Sequence, residues 1–566
     1  MEKYIGKSIV LGLGFGEITK IKPLDLKNQH IILSDQQVID ELAKANNIYK
    51  YSVKDLENEI VENKAILNEE TLAIINGHII LIEDEEITDR INEIIQELKV
   101  DFVAACLKTQ AEFIEIFDAM EDPYIKERIA DIKDICHRFI KLYQNVDSKE
   151  LSGIVLAIEI TPSDILNFEA NKVLGIISER NTSNCHAAIL ARTLDIPFVT
   201  AIDGIYAATD DADLALIDAD MSSVIINPNK VVFETFKTKH QEYLTSKVEL
   251  KKYIGKDAVF KDNKKFDVGV NIGNLADCSI ALEVKANSVG LFRSEYLYMD
   301  LEDFPSVDYL YNKYLEMTKD IPGEITIRTL DVGGDKSINY FNIAKEANPY
   351  LGYRAIRYCL DHPEVLITQF KAILKLSASK EVKIMIPMIT KLDEVLDAKK
   401  ILKQSMLELE KEKIDFDSKI KLGIMIETPA SVLISDILAK HLDFFSIGTN
   451  DLLQYTMAAD RNNQSVEANY NPYSQAFINM IDITIQSAKR HNIPVSVCGE
   501  IAANKDFLAI LVGLGIEKIS VTPSALLQVK KVLANTTFEE CKKLVDKVKK
   551  LESEKDIEAY VLSGKY

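Results

Sequence analysis

Apolar residues are spaced differently in different parts of the chain, and this spacing predicts the elements. Between positions 31 and 146 they recur at steps of three and four, which is the period of an amphipathic helix. The clearest runs are Ile87, Ile91, Ile94, Ile95 and Leu98, and then Ile125, Ile129, Ile132 and Ile135. Asn76-Gly77 and Asp122-Pro123 punctuate the pattern. We expect a helical bundle interrupted at these two dipeptides.

The pattern changes to short β-rich runs between positions 151 and 231. These runs are residues 154–158, 173–177, 197–200 and 224–226, with a helical pattern at 187–191 among them. They indicate a small α/β domain. Residues 8–11 would supply one more strand, which makes the helical segment an insertion. The predicted α/β domain comprises 1–20 and 147–231, and the predicted helical domain comprises 21–146.

A charged, helix-prone stretch at 232–256 predicts a linker helix, and eight strand–helix units follow it. The predicted strands begin near Asp267, Ser288, Glu324, Val382, Ile420, Asp443, Pro494 and Lys518. Eight such units within 257–566 predict a (β/α)8 TIM barrel, in which the C-terminal ends of the strands converge on one mouth. The predicted fold class is therefore α/β, with a split α/β domain and an inserted helical bundle before the barrel.

Residues 12–16, Gly-Leu-Gly-Phe-Gly, contain three closely spaced glycines. They match neither the GxGxxG nor the Walker A spacing of phosphate-binding loops, and no helix pattern opens there. The segment therefore predicts a tight turn or a bulge.

Charge and composition exclude several classes of partner. The 566 residues include 67 Lys and Arg against 88 Asp and Glu, a formal charge of −21, which disfavours nucleic acid and anionic lipid. No apolar run reaches the roughly 20 residues that span a bilayer. The start, Met1-Glu2-Lys3-Tyr4, has no signal-peptide core. Seven cysteines without CxxC spacing indicate reduced thiols, so we expect a cytoplasmic protein without membrane insertion.

The acidity is concentrated in the predicted helical segment. Residues 31–146 hold 12 Lys and Arg against 25 Asp and Glu, a balance of −13 and more than half of the total. One interpretation is a bundle with a solvated acidic surface. The other is a docking surface for a small basic protein, and the pattern alone leaves both open.

Arginines collect where the predicted strands end. Arg293 and Arg328 lie at two strand exits, and Arg354, Arg357 and Arg461 follow nearby elements. Guanidinium groups hold phosphate and carboxylate bidentately, so the cluster favours an anionic ligand at the mouth. Ordinary ion pairs with local acidic residues are the alternative for each of them.

Carboxylates and one thiol follow other predicted strands. Glu427 and Asp451 leave neighbouring strands, and two carboxylates with few other ligands suit Mg²⁺, whose shell is completed by water and substrate oxygens. Cys498 is a thiol at a further exit, although buried cysteines are most often inert. Together with the arginines, these groups suggest a small phosphorylated carboxylate as substrate and phosphoryl transfer as chemistry.

His186 directly precedes the helical pattern at 187–191. A histidine at a helix N-terminus is kept neutral by the helix dipole, and is hence nucleophilic. The free N–H groups of the same terminus could hold a phosphate on it. A lone histidine also serves structural purposes, and both interpretations stay open.

Six motifs in the barrel region match, in order, the pattern of a known family. They are residues 290–299 (GLFRSEYLYM), 328–336 (RTLDVGGDK), 348–357 (NPYLGYRAIR), 426–430 (IETPA), 444–452 (FFSIGTNDL) and 498–500 (CGE). Over essentially its whole length the chain resembles enzyme I of the bacterial sugar phosphotransferase system, the phosphoenolpyruvate-protein phosphotransferases.

The resemblance implies a role for each candidate residue of the barrel. Phosphoenolpyruvate would be bound by Arg293, Arg328, Asn450 and Arg461, with Lys336 and Arg354 near its phosphoryl group. Glu427 and Asp451 would ligate Mg²⁺, and Cys498 would protonate the enolate carbon as pyruvate forms.

The resemblance also implies partners and a relay. His186 would accept the phosphoryl group, and its swivelling α/β domain would pass the group to the phosphocarrier protein HPr, docked on the helical domain. The barrel would form a homodimer.

The segment before His186 departs from the family pattern. The family has Gly-Gly-x-Thr-Ser there, whereas residues 181–185 read Asn-Thr-Ser-Asn-Cys. Glycine permits close backbone approach and positive φ, which threonine does not. We expect a working phosphotransferase; the alternative is a regulatory relative that binds phosphoenolpyruvate but relays little phosphate.

Overall fold

The structure, a computed structural model, describes residues 1–564 with the exception of several short stretches. The stretches left out are 24–31, 63–68, 85, 119–122, 145–150, 167, 169–171, 182–185, 300, 334–337, 342, 345 and 462. The chain forms two compact units, Met1–Ser246 and Lys247–Tyr566.

The first unit contains an eight-stranded sheet in its described part. Its strands are β1 (Glu2–Ile5), β2 (Lys7–Val10), β3 (Leu13–Lys20), β4 (Gly153–Ala157), β5 (Val173–Ser178), β6 (Phe198–Thr200), β7 (Leu214–Asp218) and β8 (Ser223–Ile226). The order across the sheet is β1-β8-β7-β3-β4-β5-β6-β2. The central run β3-β4-β5-β6 is parallel, and the outer pairings are antiparallel.

In the described residues between the neighbouring strands β3 and β4, the chain forms five long helices. They are α1 (Asp35–Glu62), α2 (Glu69–Glu83), α3 (Glu86–Leu98), α4 (Phe102–Asp118) and α5 (Pro123–Tyr143). The spacing of apolar residues at steps of three and four accounts for the packing of these helices. Helix α3, for example, buries Ile87, Ile91, Ile94 and Ile95 on one face. The interruption expected at Asn76-Gly77 is wrong, because α2 continues through it. Residue 122 lies outside the described residues, and α5 begins at Pro123.

The turn or bulge expected at residues 12–16 is also wrong for most of that segment, because Leu13–Lys20 is the strand β3. The glycines serve close packing of the backbone. A Cβ atom on Gly14 would lie 2.1 Å from the carbonyl oxygen of Leu174, and one on Gly16 would lie 3.2 Å from Gly153 Cα. Only Gly12, at φ +134°, requires the conformational freedom of glycine.

Shorter helices complete the first unit, and a long one leads out of it. They are α6 (Pro162–Leu166), α7 (His186–Thr193), α8 (Ile205–Ala208) and α9 (Lys230–Leu250). The small apolar residues Ala187, Ala188, Leu190 and Ala191 of α7 are buried against the sheet and the helices. His186 is the first residue of α7.

The second unit is a closed barrel. Its strands are β9 (Ala258–Val259), β10 (Lys265–Ile272), β11 (Val289–Arg293), β12 (Ile325–Arg328), β13 (Val382–Ile386), β14 (Lys421–Ile426), β15 (Phe444–Ile447), β16 (Val495–Val497) and β17 (Lys518–Val521). Strands β10 to β17 pair in parallel in chain order, and β10 pairs with both β11 and β17, which closes the ring. The short β9 pairs with β10 in antiparallel fashion. The TIM barrel expected from the sequence is confirmed.

Helices follow the barrel strands. They are α10 (Leu275–Glu283), α11 (Tyr296–Met299), α12 (Val307–Thr318), α13 (Ile356–Asp361), α14 (Pro363–Ser377), α15 (Leu392–Glu412), α16 (Pro429–Leu433), α17 (Ser435–Leu438), α18 (Thr449–Met457), α19 (Gln475–Arg490), α20 (Lys505–Leu514), α21 (Leu526–Asn535), α22 (Phe538–Val548) and α23 (Glu554–Leu562). Among the described residues, no helix has both the length and the apolar character needed to cross a bilayer.

The interior of the barrel is filled in layers. The strand residues Leu291, Met385, Met425 and Phe444, with Cys498 directly after β16, form a buried cluster separate from the core between strands and helices. Near the N-terminal ends of the strands, Lys518 contacts both Asp267 and Glu324, and Lys383 pairs with Glu324. This layering leaves the carboxyl ends of the strands as the place for polar chemistry.

Candidate active site

The barrel places most of the predicted residues at one mouth. Arg293 and Arg328 are the last residues of β11 and β12. Glu427 and Cys498 directly follow β14 and β16, and Asp451 lies in the first turn of α18, after β15. Because these strands are parallel members of one ring, their carboxyl ends meet, and residues more than 200 positions apart become neighbours.

Arg328 is buried and held by two carboxylates. Its Nη2 donates to Glu295 Oε1 at 2.6 Å, and its Nη1 lies 3.0 Å from Asp331 Oδ2. Burial alone would lower the pKa of this guanidinium, but the charges of Glu295 and Asp331 outweigh it and keep the pKa above its ordinary value. Arg328 is thus a permanent, fixed cation at the mouth.

Arg354 reaches the same mouth from the segment before α13. Its Nε and Nη2 donate to the two oxygens of Asp331 at 2.8 and 3.0 Å, which is a bidentate pair. Nη2 also donates to Asp451 Oδ2 at 3.1 Å, and Nη1 donates to the Tyr455 hydroxyl at 3.3 Å. Asp331 therefore joins Arg328 and Arg354 into one network.

Glu427 is buried beside other carboxylates. Its Oε1 accepts a 2.6 Å hydrogen bond from the backbone N–H of Met388, a residue at φ +59° after β13. Burial and the nearby charges of Asp451 and Asp331 raise the pKa of the Glu427 carboxyl above its usual range. A cation placed among these carboxylates would favour their ionised forms and would itself be stabilised by their charge.

Glu427 and Asp451 fit the requirements of Mg²⁺. Asp451 Oδ1 is buried and accepts no hydrogen bond in the described part of the chain, and the Arg461 Nη1 cation lies 3.7 Å away. The described residues contain no group of three or more His, Cys, Asp or Glu arranged to hold a metal. Mg²⁺ does not need such a group, because it is bound through one or two carboxylates plus substrate oxygens and water.

Cys498 lies under the mouth as a protonated thiol. The residue is 2% exposed, and its Sγ lies 3.7 Å from the carbonyl oxygen of Ile447. Burial raises the pKa of the thiol to about 11, although Ser446 and the arginines Arg328 and Arg293 act in the opposite direction. A thiol in this setting is a proton donor and a poor nucleophile.

Asn450 and Arg461 also belong to the mouth, but Arg357 does not. Asn450 Oδ1 accepts from the backbone N–H of Glu500 at 3.1 Å, which ties α18 to the segment after Cys498. Arg461 faces Asp451. Arg357 donates to the carbonyl oxygens of Leu351 and Gly352 and so stabilises a local turn.

For two predicted site residues, the structure describes no place at the barrel mouth. Lys336 lies outside the described residues. His186 belongs to the first unit, where it opens α7, and residues 182–185 directly before it lie outside the described part.

The structure shows site contacts for residues for which the sequence indicated no role there. Glu295 and Asp331 stand at strand exits in the sequence, and their contacts show that they hold the arginines. Gln369, in the middle of α14, donates to Ser294 Oγ at 2.8 Å and accepts from the N–H of Leu330 at 2.9 Å, which fixes the exits of β11 and β12 to each other. A helical glutamine carries no sequence signal for such a role.

The barrel mouth gathers arginines, carboxylates and a thiol, and this combination suits an enzyme with a small anionic substrate. The sequence families that match the chain are consistent with such an enzyme. The family described as PEP-utilising enzyme, PEP-binding domain, matches residues 247–538. The N-terminal domain of PEP-utilising enzymes matches 5–128, and their mobile domain matches 150–221. The class of protein is thus that of PEP-utilising enzymes.

Relatives that match nearly the full length of the chain show which family within this class it belongs to. A phosphoenolpyruvate-protein phosphotransferase of Mycoplasma capricolum is 34% identical over 99% of this chain and 98% of its own length. That of Haemophilus influenzae is 34% identical over 94% of both chains, and that of Bacillus subtilis is 32% identical over 99% of both. The chain belongs to the family of phosphoenolpyruvate-protein phosphotransferases.

Proposed function

We propose that the protein transfers the phosphoryl group of phosphoenolpyruvate to its own His186 and then to the phosphocarrier protein HPr, releasing pyruvate. The observation that carries the proposal is the network at the barrel mouth, in which Arg328 and Arg354 are buried cations joined by Asp331. A family member with this mouth has the groups for binding a phosphorylated carboxylate.

The arginines are proposed to bind the substrate. Arg293, Arg328 and Arg461, with Asn450, hold phosphoenolpyruvate, and Arg354 and Lys336 neutralise its phosphoryl group. The buried guanidinium groups of Arg328 and Arg354 stabilise charge that develops during transfer and need no reorganisation at that moment.

Glu427 and Asp451 are proposed to hold Mg²⁺. When bound, Mg²⁺ supplies charge neutralisation and orientation at the transferred phosphoryl oxygens. The two carboxylates contribute negative charge that the cation offsets. Pairing of Asp451 with Arg354 keeps the acidic group in position before the substrate arrives.

Cys498 is proposed to donate the proton that turns the enolate into pyruvate. Its buried thiol holds that proton at neutral pH, because its pKa is about 11. The raised pKa of the thiol prevents it from reacting as a thiolate with other electrophiles.

The helical insertion is proposed as the docking site of HPr. Helix α3 buries its isoleucines and exposes Glu86, Asp89, Glu93 and Glu97 on the opposite side. This acidic outer face favours a basic partner.

The barrel is proposed to form a homodimer. The neighbouring helices α16, α17 and α19 expose Leu433, Ile437 and Ile483, and exposed apolar side chains favour association. Sedimentation velocity of Leu433→Glu and of the wild type checks this, since a weaker dimer is expected for the variant.

Incubation with labelled phosphoenolpyruvate and Mg²⁺ tests the function. The wild type should acquire label that HPr removes, and His186→Ala should not be labelled while it still binds phosphoenolpyruvate. Equal labelling of both proteins, or of neither, would contradict the proposal.

A further inference from the structure

The parallel pairing of β4 with β5 extends beyond the two strands. The backbone N–H groups of Glu179 and Arg180 both donate to the carbonyl oxygen of Ile158, at 3.1 and 3.0 Å. The next residue along the chain is Asn181, five positions before His186.

Asn181 continues this ladder with its side chain. Its Oδ1 accepts from the backbone N–H of Ile160 at 2.8 Å, and its Nδ2 donates to the carbonyl oxygen of Ile160 at 2.8 Å. The amide is buried, and the Asn181 carbonyl oxygen accepts from Thr200 Oγ1 at 3.0 Å. The side-chain amide thus takes the place of a backbone amide in one further rung.

The segment that receives Asn181 is itself anchored to the helical insertion. The N–H and hydroxyl of Thr161 donate to Asp164 Oδ2 at 3.0 and 2.7 Å. Asp164 Oδ1 accepts from Lys141 Nζ of α5 at 2.8 Å. Asn181 therefore binds to a segment that is already fixed from the other side.

We propose that Asn181 is a positioning residue for phosphoryl transfer: its amide anchors the chain at position 181 to Ile160, five residues before His186, and so holds His186 in register for the reaction. This inference rests on the proposed function of His186. Glycine, which the family pattern has at this position, has no side chain to make these bonds. Asn181 thus supplies two contacts to Ile160 that a glycine at position 181 could not make.

Hydrogen exchange tests the anchor without reference to activity. In Asn181→Ala, amide exchange of Ile160 and of the first turn of α7 should become faster than in the wild type. Asn227→Ala is the matched control, because Asn227 also accepts from a backbone N–H, of Leu214 at 3.2 Å, and donates to Asp213 at 2.9 Å. Unchanged exchange in Asn181→Ala would overturn the anchor.

Labelling kinetics test the positioning role. Asn181→Ala should lower the rate of phosphoryl transfer from phosphoenolpyruvate by about tenfold or more, because misplaced reacting groups are costly. Binding of phosphoenolpyruvate to the barrel should remain unchanged, as should the transfer rate of Asn227→Ala. A normal transfer rate with faster exchange would show that the anchor is structural only and would refute the positioning role.

The variant Asn181→Asp tests the two bonds to Ile160 through the pH dependence of its transfer rate. A protonated carboxyl group has the one donor and the one acceptor that the two bonds to Ile160 require, whereas a carboxylate has no donor for the Ile160 carbonyl oxygen. The transfer rate of N181D relative to the wild type should therefore rise as pH falls, while that of N181A relative to the wild type stays constant. Parallel pH profiles for both variants would contradict the proposal.

The two proposals fail in different ways. If the wild type is not labelled on His186, the proposed function is wrong, and faster exchange in Asn181→Ala would still establish the anchor. If the wild type is labelled and Asn181→Ala is labelled at the same rate, only the positioning role is wrong.

Discussion

Arg354 Nη2 donates to Asp451 Oδ2 at 3.1 Å, so the arginine expected at the phosphoryl group is paired with a carboxylate expected to bind metal. The same guanidinium forms its bidentate pair with Asp331. Arg354 is therefore shared between Asp331, which it contacts through two hydrogen bonds, and Asp451, which it contacts through one.

Removal of either proposed metal ligand should abolish Mg²⁺-dependent turnover. For Glu427→Ala and Asp451→Ala we expect pyruvate release to fall by about 100-fold or more, because electrostatic stabilisation of the transition state is lost. Pyruvate release measured against Mg²⁺ concentration checks this. Asp436→Ala, which removes an exposed carboxylate paired with Arg490, is the control. Unchanged activity in either variant would remove that residue from the metal site.

Cys498→Ala should slow pyruvate formation without preventing substrate binding. Loss of a general acid costs about 100-fold or more in rate, whereas the arginines that bind phosphoenolpyruvate stay in place. Cys541→Ala, at another buried thiol, should have normal turnover. Loss of phosphoenolpyruvate binding in Cys498→Ala, measured by calorimetry, would mean that the thiol has a structural role.

The pH dependence of Cys498 has a definite sign. The thiol donates its proton in the low-pH form, and that form is lost only as pH rises through the raised pKa of about 11. At about pH 9 an ordinary cysteine is largely deprotonated, but Cys498 should resist alkylation by iodoacetamide. Mass spectrometry of the alkylated protein measures this, and rapid modification of Cys498 would contradict the raised pKa.

Arg328→Met should destabilise the barrel as well as weaken substrate binding. It leaves the carboxylates of Glu295 and Asp331 buried without this partner, which costs about 3–5 kcal/mol in free energy of unfolding. Arg490→Ala removes an exposed ion pair to Asp436 and should cost about 1 kcal/mol or less. Urea unfolding of the two variants checks the difference, and equal costs would refute it.

Glu324 should stabilise the barrel at neutral pH and lose that effect in acid. Burial would raise the pKa of its carboxyl, but Lys383 and Lys518 outweigh burial and lower it. The folded state therefore favours the ionised form, so its stabilisation is complete above the ordinary glutamate pKa of about 4.3 and is lost as pH falls below it.

The variant Glu324→Gln makes this measurable. We expect it to be less stable than the wild type by about 1–3 kcal/mol near neutral pH, with the difference shrinking in acid. The exposed Glu410→Gln is the control. A difference in free energy of unfolding that does not change with pH would contradict the assigned ion pairs.

The barrel could be predicted from the sequence because its strands are buried apolar runs separated by helices. All eight expected segments became strands, from Lys265–Ile272 to Lys518–Val521. The first unit was harder. Strand β1 has three exposed residues out of four and so lacks an apolar pattern, and the glycines of β3 resemble a turn although they serve contact with Leu174 and Gly153.

The mouth could be predicted as a set of residues but not as a network. Arg328, Glu427 and Cys498 could be predicted from their positions at the ends of strands, because barrel topology alone brings such positions together. Which arginine contacts which carboxylate depends on side-chain geometry, and the sharing of Asp331 between Arg328 and Arg354 has no sequence pattern. Gln369 was missed for the same reason.

The position of the five-helix insertion has a consequence for synthesis of the chain. Thr19 Oγ1 donates to the carbonyl oxygen of Ser152, 133 positions later, where β3 and β4 come together. During translation, β3 leaves the ribosome long before its parallel neighbour exists, while the intervening helices rely on local contacts that form early. A folded insertion holds its two ends close and so lowers the entropy cost of joining the strands. Early folding of the helical segment is therefore expected to favour completion of the sheet that carries His186.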